Sequence, residues 1–69
     1  MDHIQISLAA ARVNAGMTQY YVAEQMGVSL QTIVNWEKGR TEPSVQQAGR
    51  LCAMYKIPVD YIFFGTKSN

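Results

Sequence analysis

The sequence predicts an all-α domain, a compact bundle of five short helices, and three observations predict it. Apolar residues recur at intervals of three and four along most of the chain. Ser or Thr precedes several of these stretches and Gly follows them, the order in which helices are capped and stopped. No apolar-polar alternation runs long enough for a strand. The nearest stretch, Ile57 to Phe64, has helix spacing and a Pro near its start.

The first helix is expected from Ile4, Leu8, Ala11 and Ala15, spaced by four, three and four residues, and Gly16 closes it. Thr18 can cap the second, whose buried stripe is Val22, Ala23 and Met26 and whose stop is Gly27. Ser29 can cap the third, with Ile33 and Trp36 facing inward and Gly39 at its end. After the loop Arg40-Thr41-Glu42-Pro43, Ser44 and Gln47 have the spacing of a capping box. A fourth helix then runs to about Tyr55, its inner face Ala48, Leu51, Cys52 and Tyr55. Gly49 within it costs roughly 1 kcal/mol against Ala, so it either weakens the middle of this helix or marks a close helix approach. Pro58 suits the first turn of a last helix, with Val59, Ile62 and Phe63 inward before Gly65. Residues 1–65 are thus expected to form one domain and residues 66–69 a polar tail.

Composition narrows the possible functions. A chain of 69 residues makes one domain, and a domain of this size buries only roughly 60% of the surface that its unfolded chain exposes. The apolar share of 48% against 16% charged residues is that of a folded protein, not a disordered tail. No apolar run approaches the roughly 20 residues of a membrane span, and the N-terminal MDHIQIS lacks the order of a signal peptide, so a cytoplasmic location is expected. Cys52 is the single cysteine and His3 the single histidine, which leaves no disulfide, metal cluster or cofactor to expect. An enzyme is disfavoured, because paired carboxylates, Cys/His or Ser/His arrangements and a phosphate-cradling glycine loop are all missing.

The informative segment is 18–38. A short helix, the link Gly27-Val28-Ser29 and a second helix with outward positions Leu30, Gln31, Val34 and Asn35 make a helix-turn-helix. Such a pair lays its second helix in the DNA major groove while the first crosses the backbone. Net charge is only +1, weak for a nucleic-acid binder, yet Arg12, Lys38 and Arg40 all lie within the first 40 positions.

Through MTQYYVAEQMGVSLQTIVNWEKGRTEPS the chain resembles the phage Cro and repressor (Xre-like) helix-turn-helix family. The family pattern falls on Thr18, Gln19, Ala23, Gly27, Val28, Ser29, Thr32, Ile33, Trp36, Glu37, Gly39, Pro43 and Ser44. It continues through Leu51, Ile57, Asp60 and Ile62. The resemblance implies a lambda-repressor-like domain that binds double-stranded DNA, most simply as a dimeric repressor. It also implies an ion pair between Arg12 and Glu37 linking the first and third helices. Dimer contacts would come from the C-terminal end, where Tyr61 and Phe64 are the candidates. The competing role for these two rings is to complete a small core.

Base contacts are assigned to Leu30, Gln31, Val34 and Asn35. Gln31 can take adenine through a bidentate pair, Asn35 can do the same or hold a phosphate, and Leu30 and Val34 can meet thymine methyls. With no Arg or Lys at these positions, half-sites containing A·T pairs are expected. Phosphate contacts are assigned to Gln19 at a helix N-terminus and to Lys38, Arg40 and Thr41 after the third helix.

Simpler roles suit the remaining residues. Trp36 belongs to the core rather than to a stacking platform, and Cys52 is an inert core thiol. Of Tyr20 and Tyr21, one is expected against the first helix and the other near the DNA backbone. The alternative to DNA binding is a protein-interaction module, such as an antitoxin-type protein that kept this fold, because fold alone does not fix function.

Overall fold

The computed structural model describes residues 5–63. Ile4, Phe64, Gly65 and the tail at 66–69 lie outside the described residues, as does His3. The order is β1 (Ile6–Ser7), α1 (Leu8–Asn14), α2 (Gln19–Met26), α3 (Leu30–Lys38), α4 (Val45–Tyr55), a 3₁₀ turn at Val59–Tyr61 and β2 (Ile62–Phe63).

Each α-helix starts where a hydroxyl can satisfy a free amide. Ser7 accepts from Ala10 N, Thr18 from Tyr21 N, Ser29 from Thr32 N and Ser44 from Gln47 N. Ser44 and Gln47 complete the expected capping box, with Ser44 N donating to Gln47 Oε1 at 2.8 Å. Gly27 (φ 71°) and Gly39 (φ 76°) end α2 and α3 in the left-handed region, where a side chain would be strained. Lys56 takes the same role after α4 at φ 58°.

Several expectations are corrected. The described chain has four α-helices, not five. The segment after Pro58 is a 3₁₀ turn that runs into a strand, and β2 pairs in parallel with β1 in the register Ile6↔Ile62 and Ser7↔Phe63. Local periodicity does not reveal this pairing, because the partner strand lies at the other end of the domain. Val59 is accordingly half exposed instead of inward, whereas Ile62 is buried. The first helix begins at Leu8, since Ile6 and Ser7 are extended and Ser7 is the cap. Gly49, finally, marks no close approach: a Cβ built there meets nothing within 4 Å.

The core is one cluster of Leu8, Ala11, Val22, Ala23, Met26, Ile33, Trp36, Leu51, Cys52, Tyr55 and Ile62, drawn from all four helices and β2. Val28 packs against its edge at the bend between α2 and α3. Among the described residues, no helix is long and apolar enough to cross a membrane.

Candidate nucleic-acid interface

α2 and α3 are held at the turn by apolar contact and by a partly buried ionic lock behind it. Ile33 and Trp36 are the buried residues of α3, so the helix enters the core by one narrow stripe. Its other side is free to meet a partner. Leu30 and Gln31 are exposed, and Val34 and Asn35 are half-buried at the edge of the same face.

The lock joins three helices. Arg12 on α1 donates through Nε to Glu37 Oε2 at 2.7 Å and through Nη2 to Glu37 Oε1 at 3.3 Å. The Arg12 and Glu37 side chains are 15% and 6% exposed. Arg12 Nη1 also donates to the Met17 carbonyl at 2.9 Å, which pins the loop between α1 and α2. Gln19, at the start of α2, donates through Nε2 to Glu37 Oε1 at 2.9 Å. The Arg12 charge is thereby spent inside the protein, and Lys38 and Arg40 are the exposed cations beside α3.

Of the phosphate candidates, Lys38, Arg40 and Thr41 are exposed at and after the C-terminal end of α3, and Gln19 is half-buried. The contact from Gln19 to Glu37 was not legible in the sequence, where Gln19 read as a phosphate donor at a helix N-terminus. One N–H of its amide is engaged, and its carbonyl oxygen and second N–H remain available. A second chain of hydrogen bonds runs along α3 itself: Gln31 Nε2 donates to Asn35 Oδ1 at 3.1 Å, and Arg40 Nη1 lies 3.5 Å from the same oxygen. Tyr20, 68% exposed, and Leu30, 45% exposed, flank a shallow groove with Ala23, Glu24 and Val28. Tyr21 is exposed as well and lines an opening with Ala15, Gly16, Met17 and Thr18. It is therefore the tyrosine nearer the end of α1.

Tyr55 stands behind the lock. Burial, with the Glu37 carboxylate adding to it, pushes its hydroxyl up to about 12 from an ordinary 10, while Arg12 acts in the opposite direction. In the unfolded chain this phenol ionises first. Between about pH 10 and pH 12 the folded state therefore holds the extra proton, and stability falls as pH rises, by on the order of 1 kcal/mol per pH unit. Urea denaturation at pH 9, 10 and 11 should show this loss, and Tyr55→Phe should flatten it. An equal slope in the variant would mean that Tyr55 ionises alike in both states. Cys52 is free and buried, and burial raises its thiol too, which makes it a poor nucleophile. Among the described residues no group of His, Cys, Asp and Glu could hold a metal ion.

The helix-turn-helix family matches residues 8–62, most of the chain. The protein belongs to that family. An uncharacterized HTH-type transcriptional regulator of Methanothermobacter thermautotrophicus is 48% identical over 53 residues, covering 75% of this chain and 77% of that one. Another, from Methanocaldococcus jannaschii, is 36% identical over 47 residues, 68% of this chain and 71% of the relative. A third, from Archaeoglobus fulgidus, is 35% identical over 52 residues, 75% of this chain and 74% of the relative. No solved structure gives a significant match. As a helix-turn-helix protein the chain keeps its family segment intact: the match takes in α1 to α4 and ends at Ile62, the first residue of β2.

Proposed function

We propose that the protein is a sequence-specific regulator that binds double-stranded DNA, a repressor, with α3 in the major groove. One observation carries this reading. α3 is anchored by Ile33 and Trp36, leaving Leu30, Gln31, Val34 and Asn35 together on the side turned away from the core. Amide and apolar side chains on such a face suit adenine edges and thymine methyls. Lys38, Arg40, Thr41 and the remaining donor of Gln19 flank it as phosphate contacts, which fix register without reading sequence. The relatives named as transcriptional regulators support the same function.

In this reading the protein acts in the cytoplasm, as a homodimer on DNA, joined at the C-terminal end through the half-exposed Tyr61 and through Phe64. That arrangement sets the two copies of α3 about one DNA turn, roughly 34 Å, apart. No catalysis, cofactor or metal takes part.

Selection from random duplex DNA, followed by affinity against salt, tests it. The expected result is a palindromic consensus with half-sites about 10 bp apart, rich in A·T pairs opposite α3. Two cations per subunit give a salt slope of about −3 to −4 for the dimer. Gln31→Ala should relax preference at one base of each half-site, by roughly tenfold or more. If the folded protein enriches no sequence and instead captures a protein that covers Gln31 and Asn35, the interaction-module alternative holds.

A further inference from the structure

The outward face of α3 carries two amide side chains, and their hydrogen bonds are not equivalent. A bidentate pair with adenine needs both halves of an amide: the oxygen accepts from N6 and the N–H donates to N7. An amide oxygen has two lone pairs. In Asn35 both are engaged, since Oδ1 accepts from Gln31 Nε2 at 3.1 Å and has Arg40 Nη1 3.5 Å away. The Arg40 backbone is fastened to the same residue, its N–H donating to the Asn35 carbonyl at 2.9 Å, so Arg40 is held beside Asn35 at the end of α3. Gln31 stands one turn nearer the N-terminus of α3 and is exposed, while Asn35 is half-buried. Gln31 uses one N–H toward Asn35 and keeps its oxygen and its other N–H, the pair that adenine requires.

We propose that Asn35 is a positioning residue and not a second base reader. Its oxygen ties the reading amide of Gln31 to Arg40, whose remaining guanidinium N–H groups meet a phosphate. This inference rests on the DNA-binding reading above and assigns one read adenine per half-site to Gln31. A phosphate contact at Arg40 and a base contact at Gln31 are then set relative to each other through one side chain. Asn35 Oδ1 also orients the Gln31 amide, placing its free N–H and its oxygen toward the groove.

The test is the same DNA selection with the full chain and four variants: Gln31→Ala, Asn35→Ala, Asn35→Asp and the double alanine. Helix content by circular dichroism checks that each variant folds. The expected result is that Asn35→Ala relaxes the same base position as Gln31→Ala, by roughly tenfold or more, and no other. The double variant should be no less selective there than Gln31→Ala. Asn35→Asp keeps the accepting oxygen and loses the donor, so it should retain the preferred base while binding all DNA more weakly. Relaxation of a second, separate base by Asn35→Ala, a new preferred base in Asn35→Asp, or an unchanged preference in Asn35→Ala would each overturn the assignment. A folded wild type that enriches no sequence removes the DNA-binding reading and this inference with it. A wild type that selects a consensus while the Asn35 variants give any of those three results removes this inference alone.

Discussion

Arg12→Ala should lower stability by about 3 kcal/mol or more, read as a shift in the urea midpoint at unchanged slope. The guanidinium makes both hydrogen bonds of the ion pair and also holds the Met17 carbonyl. Its loss leaves a carboxylate that is 6% exposed with a single charge-neutral donor, Gln19. An uncompensated buried charge is penalised far more than the intact pair contributes. A domain of 69 residues holds roughly 3–10 kcal/mol in all, so the variant would sit near its folding limit. The double variant Arg12→Met with Glu37→Leu removes both charges and should recover most of that loss. If the single and double variants lose the same amount, packing and not charge is what Arg12 provides.

The double variant also separates folding from function. Glu37 joins Gln19 to Arg12, so the start of α2 and the end of α3 are set against each other through one carboxylate. A folded protein without it should bind DNA with poorer register, because Gln19 loses the partner that orients its amide.

Helix ends and the helix-turn-helix were legible in the sequence because their causes are local. Thr18, Ser29 and Ser44 each satisfy an amide three residues on, and Gly27 and Gly39 adopt the left-handed conformation within one turn of the helices they end. The inward roles of Ala23, Ile33, Trp36 and Cys52 follow from spacing of three or four. The pair between Arg12 and Glu37 was implied by family resemblance alone. What escaped depends on partners distant in sequence. Ile62 reads as helix by spacing, yet it is a strand because Ile6 lies beside it. Ser7 reads as the interior of a helix that begins at Ile4, and the extended pairing of β1 makes it a cap instead. Gln19 read as a phosphate donor and Asn35 as a base or phosphate contact, and the structure gives both an intramolecular partner that changes what they can offer DNA.

Trp36→Ala should be as damaging as any single change, about 3–5 kcal/mol, and should leave the protein largely unfolded at ambient temperature. The reason lies in what α3 has to do. A helix that presents one side to DNA cannot bury that side, and the buried residues of α3 are Ile33 and Trp36. The indole is thus a large share of the apolar surface that holds the reading face in place, with 4% of Trp36 exposed. Trp36→Phe keeps an aromatic ring and should lose much less. As the single tryptophan, Trp36 also reports on itself. Its emission should be blue-shifted in the native protein, move to the red on unfolding, and stay in place when duplex DNA is added. Strong quenching on adding single-stranded DNA, with the fold intact, would instead make the ring a stacking platform. The small anchor and the free face are two sides of one arrangement, so stability lost at Trp36 should appear as DNA affinity lost in proportion to the unfolded fraction.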